Sequence, residues 1–455
     1  MSGFDASPVD HDEPVSRPDD LLALFERAEK PPEQWRVGTE HEKIGLYSDG
    51  LGLIPYAGER GIGSILDAIA TADGWKRILE DGNVIALEKA GASITLEPGG
   101  QFELSGAPLR TIHQTCDEFH KHLDLMRRIS EPAGIVWLGL GIHPIHPVAE
   151  IPIMPKARYR IMREYLPTRG STGLVMMFHT ATVQANFDYA SESDMVEKLR
   201  LALAVSPIVS AIFANSSISE GGANGFVSKR LDAWEDTDPD RTGMLPFAFE
   251  PDFGYRRYID WALDVPMFFV VREGRYEAAN GLTFRQFLER GFRGVQPTLA
   301  DFDRHLTTLF PDVRVKKIIE VRGADAVPPG LTCSLPALWK GLLYDADARA
   351  EARALVAFST HATRLDARSQ VARRGLAANY AGRPILDLAR ELARISREGL
   401  CRIGHAGATE PDESSFLDAV FEQLDRGASP GQVILERWNG EWEKSIDRLI
   451  DYARY

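Results

Sequence analysis

The sequence lacks the features of secreted, membrane and fibrous proteins. It has only three cysteines in 455 residues, Cys116, Cys333 and Cys401, and their spacing fits neither a disulfide framework nor a zinc site. Its longest strongly apolar windows, residues 135–142 and 265–271, are far shorter than the roughly 20 residues that cross a bilayer. The chain has no internal repeat and no low-complexity segment. These absences predict an ordinary globular protein.

Basic residues are outnumbered by acidic ones. The 52 Lys and Arg against 66 Asp and Glu give a formal charge of −14, which argues against nucleic acid or an anionic membrane surface as a partner. Residues 1–18 are acidic and proline-containing, and they lack the basic start and apolar run of a secretory signal. The sequence therefore predicts a cytoplasmic protein with a flexible acidic tail over residues 1–18 and small-molecule partners.

Hydrophobic periodicity predicts an α+β fold. Short β-rich segments with glycine-containing joints, typical of an antiparallel sheet, occupy the first three quarters of the chain, and residues 346–455 are mostly helical. Length alone allows one or two domains. Strands are predicted at residues 35–46, 84–87, 93–97, 134–142, 182–189, 267–272 and 317–322. Helices are predicted at residues 21–25, 61–72, 111–130, 192–212, 346–367, 385–396, 416–424 and 434–452. Loops are predicted at residues 215–228 and 232–240, and the second of these is acidic and expected at the surface.

Glutamates on the predicted strands are the strongest indication of chemistry. Glu40 and Glu42 are two residues apart, so both side chains leave the same face of a strand. Glu97 and Glu103 bracket a Pro-Gly-Gly segment, whose backbone can pass close to a ligand. A later predicted strand carries Glu320. Oxygen ligands of this kind suit Mg²⁺, which commonly bridges carboxylates and substrate phosphates.

Other interpretations compete with a metal site. Glutamates at alternate positions also mark the solvated face of an ordinary strand, although here the flanking residues are glycine or apolar. Neither a GxGxxG nor a GxxxxGK[ST] motif is present, which disfavours dinucleotide and P-loop chemistry. No histidine pair has metal-ligand spacing on a helix, so the histidines are expected at the surface or in the core: His113, His120, His122, His143 and His146.

Ten segments in the same order resemble the plant and proteobacterial type of glutamate-cysteine ligase, over roughly residues 35–345, and the chain is identified as a member of that family. The segments are WRVGTEHEKIGL, SITLEPGGQFELSGAPL, HQTC, IPIMPKARYRIMREYLP, TVQANFDY, DTDPDRTGMLPFAFE, ALDVPMFF, HLTTLFPDVRVK, EVRGAD and LPALWKGLLYD.

The resemblance implies a glutamine-synthetase-like fold, in which a curved antiparallel sheet forms a funnel with helices packed behind it. It implies a single catalytic domain over residues 19–455, acting as a monomer or a homodimer. The implied reaction uses ATP to activate the γ-carboxylate of glutamate as an acyl phosphate, which the amine of cysteine attacks to give γ-glutamylcysteine, the first step towards glutathione or a related thiol. Mg²⁺ is the implied metal.

The resemblance also implies roles for individual residues. Arg322 is expected to stabilise the transferred phosphoryl group, and Gln184 to face the metals from a central strand with Asn186 beside it. Weaker candidates for nucleotide or substrate anions are Lys156, Arg158 and Arg241. The implied magnesium ligands are Glu40, Glu42, Glu97, Glu103 and Glu320.

Two departures from the family pattern leave the acid substrate open. The family usually has Arg and Cys in the run that reads MMFHTATVQ here, with His179 in place of the arginine, and a basic residue where this chain has Gly222. Arginine binds a carboxylate with two parallel hydrogen bonds that His and Gly cannot reproduce. The alternatives are therefore a related ligase with a different acid or amine, or a non-catalytic homologue.

The resemblance implies one further pairing. Cys116 and Cys333 occupy positions that some family members join in a redox-sensitive disulfide, and Cys401 would then be left over.

Overall fold

A nine-stranded sheet is the central element of the computed structural model, which describes residues 13–406 and 412–455. Its strands are β1 (Val37–Tyr47), β2 (Lys76–Glu80), β3 (Asn83–Lys89), β4 (Ala92–Leu96), β5 (Phe102–Ser105), β6 (Ile135–Leu138) and β7 (Thr182–Phe187), followed by Val313–Val315 and Ile319–Asp325. From one edge the order is Val313–Val315, Ile319–Asp325, β7, β1, β5, β4, β3, β2, with β6 on the second half of β1. Every neighbouring pair is antiparallel, as predicted.

The two faces of the sheet carry different chemistry because successive side chains of a strand point to opposite sides. On β7, Val183, Ala185 and Phe187 belong to the apolar core, whereas Gln184 and Asn186 leave the other face. This confirms the half-buried strand predicted from the alternation at 182–189. β1 likewise sends its glutamates to the polar face and its intervening residues towards the helices.

Helices cover the apolar face of the sheet. The long helix Glu192–Ile212 packs against Ile319–Asp325, and Ser334–Tyr344 packs against β7. The α-helices are Leu22–Glu26, Ile62–Asp73, Ile112–Ser130, Ala157–Tyr165, Gly173–His179, Glu192–Ile212, Lys229–Ala233, Tyr255–Asp264, Phe284–Arg290, Leu299–Leu306, Pro329–Thr332, Ser334–Tyr344, Ala346–Leu355, His361–Arg374, Ile385–Ala406, Asp418–Arg426, Pro430–Asn439 and Ile446–Ala453. The predicted α+β class is confirmed.

Several predicted segments are corrected by the structure. The helix predicted at 346–367 is two helices that meet near Val356, and the one at 434–452 is also two. Strands β2 and β5 were missed. The acidic surface loop predicted at 232–240 is wrong, because Thr237 and Asp238 are fully buried and Asp238 pairs with a buried arginine.

The predicted tail lies partly within the described residues. Val15 is buried, the backbone of Pro14 bridges to Thr298, and Glu13 forms an ion pair with Arg27 at 2.7 Å. Residues 13–18 therefore pack against the body of the protein, whereas residues 1–12 lie outside the described residues. Across the described ranges, none of the helices is both long and apolar enough to span a membrane.

Candidate active site

Three glutamates meet on the polar face of the sheet. Glu42 on β1 and Glu103 on β5 are partners in the antiparallel register, and Glu97 follows directly after β4. Gly100 has a φ of +83°, which suits the tight turn that returns the chain from Glu97 to β5. One carboxylate oxygen from each glutamate lies within 4.8 Å of the other two.

The three carboxylates of this cluster are buried and close together. Burial raises the pKa of Glu42, and burial together with the neighbouring carboxylates raises the pKa of Glu103 well above its usual range. Although burial alone would raise it, the pKa of Glu97 is lowered, in part by Lys156 and Arg158.

The cluster offers only carboxylate oxygens, the donor type that hard divalent cations such as Mg²⁺ prefer. Hydroxyl donors orient Glu103: Ser105 at 2.6 Å and Thr95 at 3.3 Å. The donor set fits the predicted metal.

Glu40 lies beside the cluster and is held by two amides. Gln184 donates to one of its oxygens at 3.0 Å and Asn186 donates to the other at 2.9 Å. The amide oxygens of Gln184 and Asn186 are buried and accept no hydrogen bond within the described residues. Both residues therefore present acceptors on the polar face, as the strand alternation predicted.

Glu320 has a different environment from the other predicted metal ligands. Arg314 donates to both of its carboxylate oxygens at 2.7–2.9 Å, and Arg322 also donates to it. Although burial alone would raise the pKa of Glu320, Arg314 and then Arg322 hold it well below its usual range. The predicted assignment of Glu320 as a metal ligand is therefore corrected, because both of its carboxylate oxygens accept hydrogen bonds from guanidinium groups.

A cavity joins the carboxylates to two arginines. It is lined by Glu42, Glu97, Gln184, Arg230 and Arg322, among others. Arg322 therefore lines the same cavity as Glu42 and Glu97, and its role towards a phosphoryl group stays a prediction. The cavity brings together groups that bind cations and groups that bind phosphate or carboxylate.

Arg230 was missed by the sequence reasoning. Its backbone N–H donates to Ser216 Oγ at 3.0 Å and its guanidinium donates to the carbonyl of Arg322 at 3.0 Å. Asp325 accepts from Ser216 and Ser228, so it anchors the loop that carries Arg230. In the sequence, Arg230 is marked only by its position after a loop rich in Gly, Asn and Ser. No neighbouring residue indicated where its side chain would point.

Lys156 and Arg158 flank the site near Glu97. Lys156 donates to the carbonyl of Leu96 at 2.8 Å, and burial lowers its pKa to about 8 while Glu97 opposes that shift. Arg158 stacks on Phe269 at 5.6 Å, and two of its buried guanidinium nitrogens have no acceptor in the described residues. Their anion-binding roles stay predictions.

Arg241 does not serve as an anion-binding residue. It is fully buried, its Nε donates to Asp238 at 2.6 Å, and its other nitrogens donate to the carbonyls of Thr308 and Pro266 and to the hydroxyl of Tyr165. The prediction is corrected because the guanidinium is saturated by partners within the protein.

The two positions that depart from the family pattern lie together, outside the lining of this cavity. His179 Nε2 is 2.6 Å from the carbonyl of His146, and because a carbonyl only accepts, Nε2 is the donor; the ring stacks on His143 at 5.5 Å. Gly222 is in a short hairpin, whose Gly221 N–H donates to the carbonyl of Pro144. Neither lines the cavity with Glu42 and Glu97, although Thr180, the neighbour of His179, does. Their role towards the acid substrate stays a prediction.

The two cysteines paired by the resemblance are bonded in the structure. The Cys116–Cys333 disulfide has a Cα–Cα separation of 5.6 Å. It joins the helix Ile112–Ser130, which packs behind β1, to the start of Ser334–Tyr344, which packs behind β7. Cys401 lies 3.9 Å from a carboxylate oxygen of Asp412.

The fold and the cavity together define an enzyme of the carboxylate–amine ligase class, with opposed carboxylates and guanidiniums on the polar face of an antiparallel sheet. A family model described as glutamate-cysteine ligase family 2 matches residues 36–452. The chain belongs to the glutamate-cysteine ligase family 2, which confirms the family predicted from the sequence.

Curated relatives and a solved structure agree with this membership. The chain is 45% identical over 446 residues to the chloroplastic glutamate–cysteine ligase of Brassica juncea, covering 97% of this chain and 85% of the relative. It is 44% identical to the chloroplastic ligase B of Oryza sativa subsp. japonica, covering 97% and 88%. The glutamate–cysteine ligase of Francisella tularensis, solved in complex with AMP, has a TM-score of 0.58 at 13% identity, covering 92% and 87%, and so shares the fold.

One prediction is wrong by this comparison. The sequence predicted a cytoplasmic protein, whereas the Brassica juncea and Oryza sativa relatives are both named chloroplastic.

Proposed function

We propose that the protein joins L-glutamate and L-cysteine in an ATP-dependent reaction that forms γ-glutamylcysteine. The observation that carries the proposal is a cavity that is lined both by Glu42 and Glu97 and by Arg230 and Arg322. Phosphoryl transfer to a carboxylate brings several anions together, so it needs both a cation site and fixed positive charge. Opposed groups of these two kinds support the proposal.

The proposed reaction has two steps. A γ-carboxylate oxygen of glutamate attacks the γ-phosphorus of ATP, and ADP leaves. The amine nitrogen of cysteine then attacks the acyl carbon, phosphate leaves with the bonding pair, and the nitrogen loses a proton as the amide forms. Arg322 and Arg230, which line the same cavity as Glu42 and Glu97, would stabilise the charge on the transferred phosphoryl group and on the departing phosphate.

The carboxylate cluster has the complementary role. Glu42, Glu97 and Glu103 would hold Mg²⁺, which when bound neutralises and aligns the phosphates of ATP. Glu40, beside the cluster, is oriented by the amides of Gln184 and Asn186.

The alternative is a related ligase that takes a different acid or amine. It rests on His179 and Gly222, which do not line the cavity with Glu42 and Glu97. The test is a coupled assay of ADP release with glutamate, cysteine, ATP and Mg²⁺, combined with mass spectrometry of the product. We expect release only when both amino acids are present, and a product of the mass of γ-glutamylcysteine. Release with another pair of amino acids and none with this one would refute the proposal.

A further inference from the structure

A histidine lies beside the Cys116–Cys333 disulfide. His120 comes one turn after Cys116 on the helix Ile112–Ser130, and its Nδ1 is 3.6 Å from Cys116 Sγ. The two sulfurs and one imidazole nitrogen all lie within 4.8 Å of one another. We call these three residues the Cys–His cluster. It has no residue in common with the carboxylate cluster of Glu42, Glu97 and Glu103.

The two clusters offer donor atoms of different kinds. The carboxylate cluster has only oxygens, which suit hard ions such as Mg²⁺. Two sulfurs and an imidazole favour a softer ion, and Zn²⁺ binds this combination of donors in many proteins. Zinc sites with three protein ligands take a water molecule as the fourth ligand. The Cys–His cluster therefore has the chemistry of a zinc site once its sulfurs are no longer bonded to each other.

The backbone already holds the three residues at distances that suit one ion. A zinc–sulfur bond of about 2.3 Å places two thiolates on a tetrahedral ion about 3.8 Å apart. The Cα atoms of Cys116 and Cys333 are 5.6 Å apart, so side-chain rotation can supply this separation. Residues four apart on a helix lie on the same face, which places His120 next to Cys116 without any movement of the backbone.

The exposure of the cluster allows access from one side. Cys333 is buried, at 8% exposed, whereas Cys116 is partly exposed and His120 is exposed. A reductant and an ion can therefore reach the cluster at Cys116 and His120, while Cys333 forms its inner side. The same exposure leaves room for a water molecule as the fourth ligand.

We propose that reduction of the Cys116–Cys333 disulfide turns the Cys–His cluster into a zinc site. A dithiol gives two electrons and two protons to the disulfide, leaves as a cyclic disulfide, and produces two protein thiols. Zn²⁺ then binds both sulfurs as thiolates, and the two thiol protons pass to the solvent. His120 Nδ1 donates to the carbonyl of Cys116 at 2.8 Å; when Nδ1 binds the ion, its proton moves to Nε2. This site does not depend on the proposed function.

The ion replaces one cross-link by another. In the oxidised protein the disulfide joins the helix Ile112–Ser130 to the residue before the helix Ser334–Tyr344. In the reduced protein the zinc ion joins the same two elements. Because the ion binds the folded chain, zinc at a hundred times its dissociation constant shifts the unfolding equilibrium about a hundredfold towards the folded state. Zinc should therefore restore stability that is lost on reduction.

The test uses Co²⁺ as a spectroscopic probe and Zn²⁺ as its competitor. The full chain is reduced with dithiothreitol, freed from it by gel filtration under nitrogen, and titrated with Co²⁺ in excess Mg²⁺, which keeps Co²⁺ from the carboxylate cluster. We expect a sulfur-to-cobalt charge-transfer band that saturates at one ion per chain and disappears when Zn²⁺ is added. Zn²⁺ should raise the melting temperature of the reduced protein. The oxidised protein should show neither effect.

Substitutions identify the ligands. Cys116→Ser should abolish the band, and His120→Ala should weaken Zn²⁺ binding by about 100-fold or more, because a direct ligand matters more than outer contacts worth 10–100-fold. The matched control is His113→Ala, since His113 lies on the same helix but stacks on Phe416 at 4.8 Å, outside the cluster. His113→Ala and Cys401→Ser should bind Zn²⁺ as tightly as the wild type.

Three results would overturn the proposal. The first is a reduced wild type without the band, or a band of equal strength in the oxidised protein; this comparison needs no substitution, so it is decisive even if a variant does not fold. The second is an equal rise in the melting temperature of oxidised and reduced protein, which would place the ion elsewhere. The third is unweakened Zn²⁺ binding in His120→Ala, which would exclude the imidazole from the site.

Discussion

Glu42 and Glu103 face each other across the β1–β5 pairing, and their carboxylates lie within 4.8 Å of one another and of Glu97. The register of the sheet therefore brings Glu42 and Glu103 together, and the turn after β4 adds Glu97. The hydrogen bonds of the sheet fix the backbone positions of Glu42 and Glu103, so their side chains leave the same face next to each other. A divalent cation would offset the repulsion between these carboxylates.

The first prediction concerns this carboxylate cluster. Glu42→Gln should weaken the apparent Mg²⁺ affinity, read from the Mg²⁺ dependence of ADP release, by about 100-fold or more, because a carboxylate in direct contact matters more than the outer contacts worth 10–100-fold.

Glu88→Gln is the matched control for that substitution. Glu88 lies on β3 of the same sheet, where it pairs with the exposed Lys76 at 3.3 Å. The Mg²⁺ dependence of ADP release by the Glu88→Gln variant should equal that of the wild type. An unchanged Mg²⁺ dependence in Glu42→Gln would contradict the assignment of the cluster.

A second prediction follows from the pair of Glu320 and Arg314. The pKa of Glu320 is depressed in the folded protein, so the pair contributes stability above the ordinary glutamate value of 4.5, and this contribution is lost as the pH falls below it towards the folded pKa. Glu320→Gln should lower the free energy of unfolding at pH 7 by about 3–5 kcal/mol, because Arg314 is left buried without its partner.

Urea unfolding at several pH values checks the Glu320 prediction. The difference in stability between the wild type and Glu320→Gln should be constant from pH 8 to about 5, and should shrink at lower pH. A difference that grew on acidification would contradict the depressed pKa. Glu391→Gln, at a surface pair with Arg394, should change stability little at any of these pH values.

The third prediction separates a structural arginine from the reactive ones. Arg241→Met should lower the free energy of unfolding by about 3–5 kcal/mol, because the fully buried Asp238 loses its closest cation and keeps only Arg169, at 3.5 Å. The KM values for ATP and glutamate should stay within about twofold of wild type in the folded fraction. The two measurements are steady-state kinetics and chemical unfolding of the same variant. A selective rise in the KM for ATP or for glutamate would support the original assignment of Arg241 as an anion-binding residue.

Local patterns in the sequence were sufficient for the polar face of the sheet. The two-residue period correctly placed Glu40 and Glu42 on one face of β1, and Gln184 and Asn186 on the polar face of β7, since strand geometry alone sets that alternation. Strand β2 was missed because its residues Lys76–Glu80 are largely exposed and charged at an edge, which removes the apolar signal.

Long-range partners account for the errors in the site. Glu320 was assigned to the metals because nothing in its own segment showed that Arg314 faces it in the register of the adjacent strand. Arg230 was missed because the orientation of its side chain depends on Ser216, about 14 residues earlier in the chain, and on Asp325, about 95 residues later. Such residues acquire their roles only through tertiary contacts, which periodicity does not encode.

The last prediction concerns the Cys116–Cys333 disulfide, which closes a loop of 217 residues. Because a cross-link restricts the unfolded chain, Cys116→Ser should lower the free energy of unfolding by about 2–5 kcal/mol. Dithiothreitol should lower the melting temperature of the wild type towards that of Cys116→Ser and leave the variant unchanged. Cys401→Ser is the control, since Cys401 contacts Asp412 and takes no part in the bridge, so it should respond to reductant as the wild type does. An identical melting temperature of the wild type with and without reductant, after complete thiol release has been verified, would show that the bridge contributes no stability.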